Sequence, residues 1–319
     1  MNVRRRLISA AAVGAVTALG IGTLTACSGD GAAAAGTGKF DVVTSFYPMT
    51  FLAERIGGSH VHVTSLTTPG QEPHDLELSP RQIGGLEKAD AILYLKNLQP
   101  AVDRAVAQSP AGTKIDAASL TALENHGTEV GGHAAAHDSH GDEESGGKDP
   151  HIWLDPVRYA QVARGVGHAF AKADPKHAAD YEKNTAELVE RLGGLDRQFR
   201  DGLAHTADKV FITTHAAFGY LAERYGLTEE AISGLDPESE PSAARVKDLE
   251  RMARADGVTT VFYETLVSDE TAKTVAHDTG LRTDVLDPIE GITGKSRGTD
   301  YFAVQRANLK ALQRALGAK

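Results

Sequence analysis

Hydrophobic and polar positions along the chain follow two alternating periods. Short runs rich in β-branched and aromatic residues, with a period near two, predict strands at 40–46, 60–66 and 91–95, and again at 210–214, 231–235, 259–263 and 283–286. Between them apolar residues recur every three or four positions, which predicts helices at 49–56, 80–88, 101–108, 217–225, 242–255, 268–279 and 301–316. Met49, Phe51 and Leu52 fall on the apolar face of the first of these. The middle of the chain is purely helical. One helix is expected over 155–171, and a second is expected from Lys176 to about His205, with Asp174 as its cap and Pro175 at its first position. About 30 residues at 1.5 Å each reach roughly 45 Å, enough to run the length of two domains. Strands alternating with helices predict an α/β fold with parallel sheets, in two lobes joined by one long rigid helix. The cleft between such lobes, at the carboxyl ends of the strands, is the expected site of any ligand.

The N-terminus departs from this pattern. Arg4, Arg5 and Arg6 precede an apolar run over 7–24, the layout of an export signal. Its length, roughly 18 residues, overlaps the lower limit for a membrane-spanning helix. The following Leu24-Thr25-Ala26-Cys27 resembles a bacterial lipoprotein cleavage box, in which the cysteine is lipidated and becomes the new N-terminus. The expected layout is a lipoprotein signal peptide at 1–26, a flexible Gly- and Ala-rich tether at 27–39, an N-terminal lobe at 40–155, a connecting helical region at 156–205 and a C-terminal lobe at 206–319. Cys27 is the only cysteine, which excludes an intrachain disulfide and any cysteine-based metal site.

Charge narrows the function classes. The chain of 319 residues has a formal net charge of −10, and removing the three arginines of the leader takes it to −13. An acidic body disfavours nucleic acid as a partner and suits the gathering of cations. Thirteen histidines are a surplus. Four of them, His126, His133, His137 and His140, stand with Glu129, Asp138, Asp142, Glu143 and Glu144 in a stretch at 124–148 that has almost no apolar residues. A mobile loop is expected there, able to bind metal weakly.

Three other histidines sit at loop edges of α/β units: His74 in the turn after the second strand, His151 between the polar loop and a helix, and His215 directly after the strand at 210–214. They are too far apart in sequence for a local finger-type site, so only the tertiary fold can bring them together. His60 and His62 form an His-x-His pair, but the downstream Asp and His of metallohydrolases are missing, and surface strand positions are expected.

Five stretches in order carry a family resemblance: TPGQEPHDLELSP around His74, DPHIWLDP around His151, THAAFGYLAERYGL from Thr214, SGLDPESEPS at 233–242 and LDPIEGI at 286–292. From about Phe40 to the C-terminus the chain resembles the metal-binding receptors of bacterial ABC importers for zinc and manganese, in the zinc-type subgroup. The resemblance implies a solute-binding component rather than an enzyme. It implies a monomer, held on the outer face of the cell membrane through lipidated Cys27, that passes its cargo to a permease and an ATPase. It also implies His74 and His151 as ligands from the first lobe, His215 from the second, and an acidic fourth ligand near the end of the second lobe. Glu290 is the expected fourth ligand, with Asp287 or a water as alternatives. Members thought to handle manganese tend to carry a carboxylate where His215 stands, and a neutral imidazole suits Zn²⁺ over Mn²⁺. Two other classes remain open on sequence alone: a zinc-dependent hydrolase with an open fourth position, and a metal-stabilised surface adhesin.

Overall fold

A computed structural model of the chain describes residues 38–130 and 148–318. Its first sheet contains β1 (Phe40–Thr44), β2 (Val61–Ser65), β3 (Ala91–Tyr94) and β4 (Thr113–Asp116). All are parallel, in the order β2-β1-β3-β4. Helices α1 (Tyr47–Gly57), α2 (Pro80–Lys88) and α3 (Pro100–Gln108) flank it. Each opens with proline in its first turn, where the missing N–H is no loss.

The second sheet repeats the winding. It contains β6 (Val210–His215), β7 (Thr228–Ser233), β8 (Thr260–Tyr263) and β9 (Arg282–Val285). These run parallel in the order β7-β6-β8-β9, the same order as in the first sheet. A short β5 (Glu129–Val130) adds an antiparallel edge on β7. Helices α6 (Gly219–Tyr225), α7 (Ala243–Ala255), α8 (Glu270–Thr279) and α9 (Tyr301–Ala315) complete this half. In each sheet the strand order reverses between its first and third strands, so the β1/β3 and β6/β8 gaps are the switch points where ligands collect.

Two helices join the halves. α4 (Pro156–Ala173) is capped by Asp155, whose carboxylate accepts from the Val157 amide at 2.8 Å. α5 (Ala178–Leu203) is 26 residues, about 39 Å long. Its buried positions Tyr181, Thr185, Leu188, Leu192, Leu195, Phe199 and Leu203 are spaced by three or four, one apolar stripe along the whole helix. Asp174 caps the entry to this helix and Pro175 takes the first position, as expected, but the first turn, Pro175–His177, is 3-10 and leads straight into α5. Asp174 also closes α4, and its carboxylate accepts from His177 Nδ1 at 2.6 Å and from Tyr181 Oη at 2.7 Å. One buried cluster runs from Val42, Phe46 and Met49 through Phe199 on α5 to Phe211, Phe262 and Tyr301, so the halves share a core. Among the described residues no helix is long and apolar enough to cross a membrane.

The described part of the stretch expected to be a mobile loop is instead tied to the fold. Residues 124–130 are held: the Asp149 amide donates to the Glu124 carbonyl at 2.9 Å, the Ala231 amide donates to Thr128 at 2.7 Å, and β5 pairs with β7. Backbone pairing to the second sheet supplies what the missing side-chain apolarity could not. His133, His137, His140 and Cys27 lie outside the described residues. His62 is an exposed strand residue paired with Asp41, as expected, whereas His60 belongs to a 3-10 turn and stacks on His177 with ring centroids 4.0 Å apart.

Candidate metal centre

Four side chains meet in the cleft: His74, His151, His215 and Glu290, each offering one donor atom, all within 4.8 Å of one another. The last three are almost wholly buried. His215 is the final residue of β6, at the switch point of the second sheet, and Glu264 follows β8 across the same gap. His74 comes from the long loop between β2 and α2. His151 precedes a 3-10 turn at Ile152–Leu154, which leads directly into the cap of α4.

The imidazoles are oriented from behind. His151 Nδ1 pairs with Asp149 Oδ1 at 2.7 Å, and the His151 amide donates to the same oxygen at 2.9 Å. His215 Nδ1 pairs with Glu264 Oε1 at 2.7 Å, and Thr214 Oγ1 donates to that oxygen at 3.0 Å. A carboxylate on Nδ1 fixes the tautomer and turns the Nε2 lone pair forward. The three Nε2 atoms face one oxygen, Glu290 Oε1, at 3.4 Å from His74, 3.5 Å from His151 and 3.8 Å from His215. His151 Nε2, His215 Nε2 and Glu290 Oε2 are buried without any hydrogen-bond partner. Orphaned buried polar atoms are rare in folded proteins, and a cluster aimed at one point is the signature of a cation seat.

Glu290 reaches this point through an unusual backbone. Ile289, fully buried, has φ of 61°, a conformation that β-branched residues seldom adopt. Asp287 holds the turn: its Oδ1 accepts from the Ile289 amide at 2.8 Å, its Oδ2 accepts from Thr265 Oγ1 at 3.1 Å, and its backbone is clamped by Asn308. Asp287 is therefore occupied and outside the donor cluster, whereas Glu290 is inside it. Strain held in this way marks a position where geometry serves function.

Burial penalises every charge here, and the pairs decide the outcome. Burial pushes His151 down, but the hydrogen bond to Asp149 and the nearby Glu290 carboxylate raise it to about 9. His215 is likewise opposed by burial and is driven well above its ordinary value by Glu264 and then Glu290. Burial would raise Glu290, yet the three imidazoles hold it well below the usual carboxylate range. Glu72, at the rim, is pushed up to about 8 by burial and then by the charge on Glu290.

Sequence reasoning missed Asp149, Glu264 and Glu72. Asp149 was visible in the DPH motif, and Glu264 carried a weak signal as an acid directly after a strand. Only the sheet order shows that Glu264 stands behind His215.

Two like-wound α/β lobes, a long helix between them and inward-facing donors at the seam together define a solute-binding receptor. Residues 42–315 match the family model described as zinc-uptake complex component A, periplasmic, and the chain belongs to this family. It is 34% identical over 287 residues to the zinc-binding protein AdcA of Streptococcus pyogenes, an alignment covering 86% of this chain and 56% of that protein. The chain thus spans a little over half the length of that relative. It is 33% identical over 292 residues to the high-affinity zinc uptake system protein ZnuA of Bacillus subtilis, covering 88% of this chain and 89% of that one. Among solved structures it is similar to the Zn(II)-bound ZnuA-like domain of Streptococcus pneumoniae AdcA, with a TM-score of 0.71, 32% identity, and coverage of 88% of this chain and 99% of that domain.

Proposed function

We propose that the chain captures a single Zn²⁺ ion from outside the cell and delivers it to an ABC importer's permease, whose partner ATPase supplies the energy. The observation that carries this reading is the convergence of three Nε2 atoms and Glu290 Oε1 on one buried point. His74, His151, His215 and Glu290 are the ligands in this reading. Three neutral imidazoles and one carboxylate leave a net charge near −1 and suit four-coordinate zinc. The names of the relatives, zinc-binding and zinc uptake, support the same cargo.

The core shared by both halves limits how the receptor responds. Large hinge closure would tear that core, so filling the site acts through loop ordering and small shifts that the permease reads. Residues 1–26 act as an export leader, and lipidation of Cys27 tethers a monomer to the membrane through a short linker. His133, His137 and His140 serve as weak accessory binders. A hydrolase would need an open fourth position, and Glu290 fills it in this arrangement. The adhesin reading is not favoured, because the sequence relatives are named for zinc binding and zinc uptake.

Titration of the purified chain with Zn²⁺ tests this. One tight equivalent is expected, and His215→Ala should weaken it by a hundredfold or more. Unchanged affinity in that variant would overturn the assignment.

A further inference from the structure

A second group of donors lies behind the first. Glu124, His126 and Glu223 each offer an atom, all within 4.8 Å of one another. His126 is built in, with its side chain only 8% exposed. Its Nδ1 pairs with Asp149 Oδ2 at 2.7 Å, while the other oxygen of the same carboxylate holds His151. Its ring packs edge-on to Tyr220, with centroids 4.5 Å apart. It lies over Gly219, where even a single Cβ would approach the ring to 2.5 Å. Among the described residues His126 Nε2 has no hydrogen-bond partner, and it faces Glu223 Oε2 at 3.8 Å. One aspartate therefore fixes two imidazoles in the same manner, with the bare Nε2 of one turned to the cleft and that of the other to an acidic mouth at the surface.

We propose that Glu124, His126 and Glu223 form a second site for a divalent transition cation, weaker than the cleft and backed by the same Asp149. The donor set, one imidazole and two carboxylates, is one that zinc accepts, and three protein ligands leave a position open for exchange. Arg158 sets the strength. Its guanidinium lies over the Tyr220 ring at 4.6 Å and pairs with Glu124 and, at 3.7 Å, with Glu223. The Glu223 oxygen that Arg158 approaches, Oε2, is the one that faces His126 Nε2, so a cation entering there competes with the guanidinium. The site stands where the His- and acid-rich stretch meets the folded body, His126 before the 131–147 segment and Asp149 after it. It does not depend on the cleft's ligand assignment, because its own donors are separate.

The test is a calorimetric Zn²⁺ titration of the full chain carrying His133→Ala, His137→Ala and His140→Ala, so that those rings cannot contribute. After the first equivalent, a second and weaker one is expected. Glu223 is half exposed, so Glu223→Gln leaves the fold intact; it should weaken the second equivalent about tenfold and leave the first unchanged. His126→Ala should abolish the second equivalent. Absence of a second equivalent in the background chain, or its persistence at full strength in either variant, would overturn the proposal. Loss of the first equivalent alone would count against the cleft reading and not against this one.

Discussion

At the residue scale the centre is a contest between protons and a cation for the same lone pairs. His151 holds its proton up to about 9 and His215 is driven well above its ordinary value, because Asp149, Glu264 and Glu290 outweigh the penalty of burial. Both shifts favour the protonated rings, so a cation binding there must displace protons. The sign follows: as pH falls, proton competition grows and zinc affinity drops, by up to one decade per pH unit for each proton released. Calorimetry in buffers of different ionisation enthalpy should show net proton release on zinc binding near pH 7. Zero release there would contradict this electrostatic picture. The carboxylates behind the rings carry a separate expectation. Glu264→Ala removes the partner of His215 Nδ1 and should weaken zinc binding about 10- to 100-fold, whereas Glu264→Gln, which still offers an acceptor oxygen, should lose less. Equal affinity in all three chains would show that His215 needs no support.

At the scale of the elements, the reading from sequence succeeded where periodicity is long and failed where pairing decides. The apolar stripe of α5 was legible because seven of its positions repeat at helical spacing, and truncating its middle should be costly. Leu192 is fully buried in the core shared by the halves, so Leu192→Ala is expected to cost about 2–5 kcal/mol in denaturant unfolding. A cost below about 1 kcal/mol would contradict the helix's role as a brace. β4 and β5 were illegible for the opposite reason. Thr113-Lys-Ile-Asp buries only Ile115 and lies at a sheet edge, and β5 exists because β7 offers it a ladder. The three histidines and Glu290, which the fold brings together, were singled out through their motifs. Asp149 and Glu264 were not singled out, because a residue that acts through another has no pattern of its own until the fold places it.

At the scale of the whole molecule, two sheets of one winding share a single core, and donors from both halves meet at the seam. A cation there adds bonds across the seam without requiring the halves to swing. Small-angle scattering should therefore give radii of gyration with and without zinc that agree within about 1 Å, in contrast to the larger change of a hinged receptor. The central claim is narrower and can be tested directly. Zinc K-edge absorption spectroscopy on the full chain loaded with one equivalent of Zn²⁺ should show three imidazole nitrogens and one carboxylate oxygen at about 2.0–2.1 Å. A shell dominated by water oxygens, or one with fewer than three imidazoles, would contradict it.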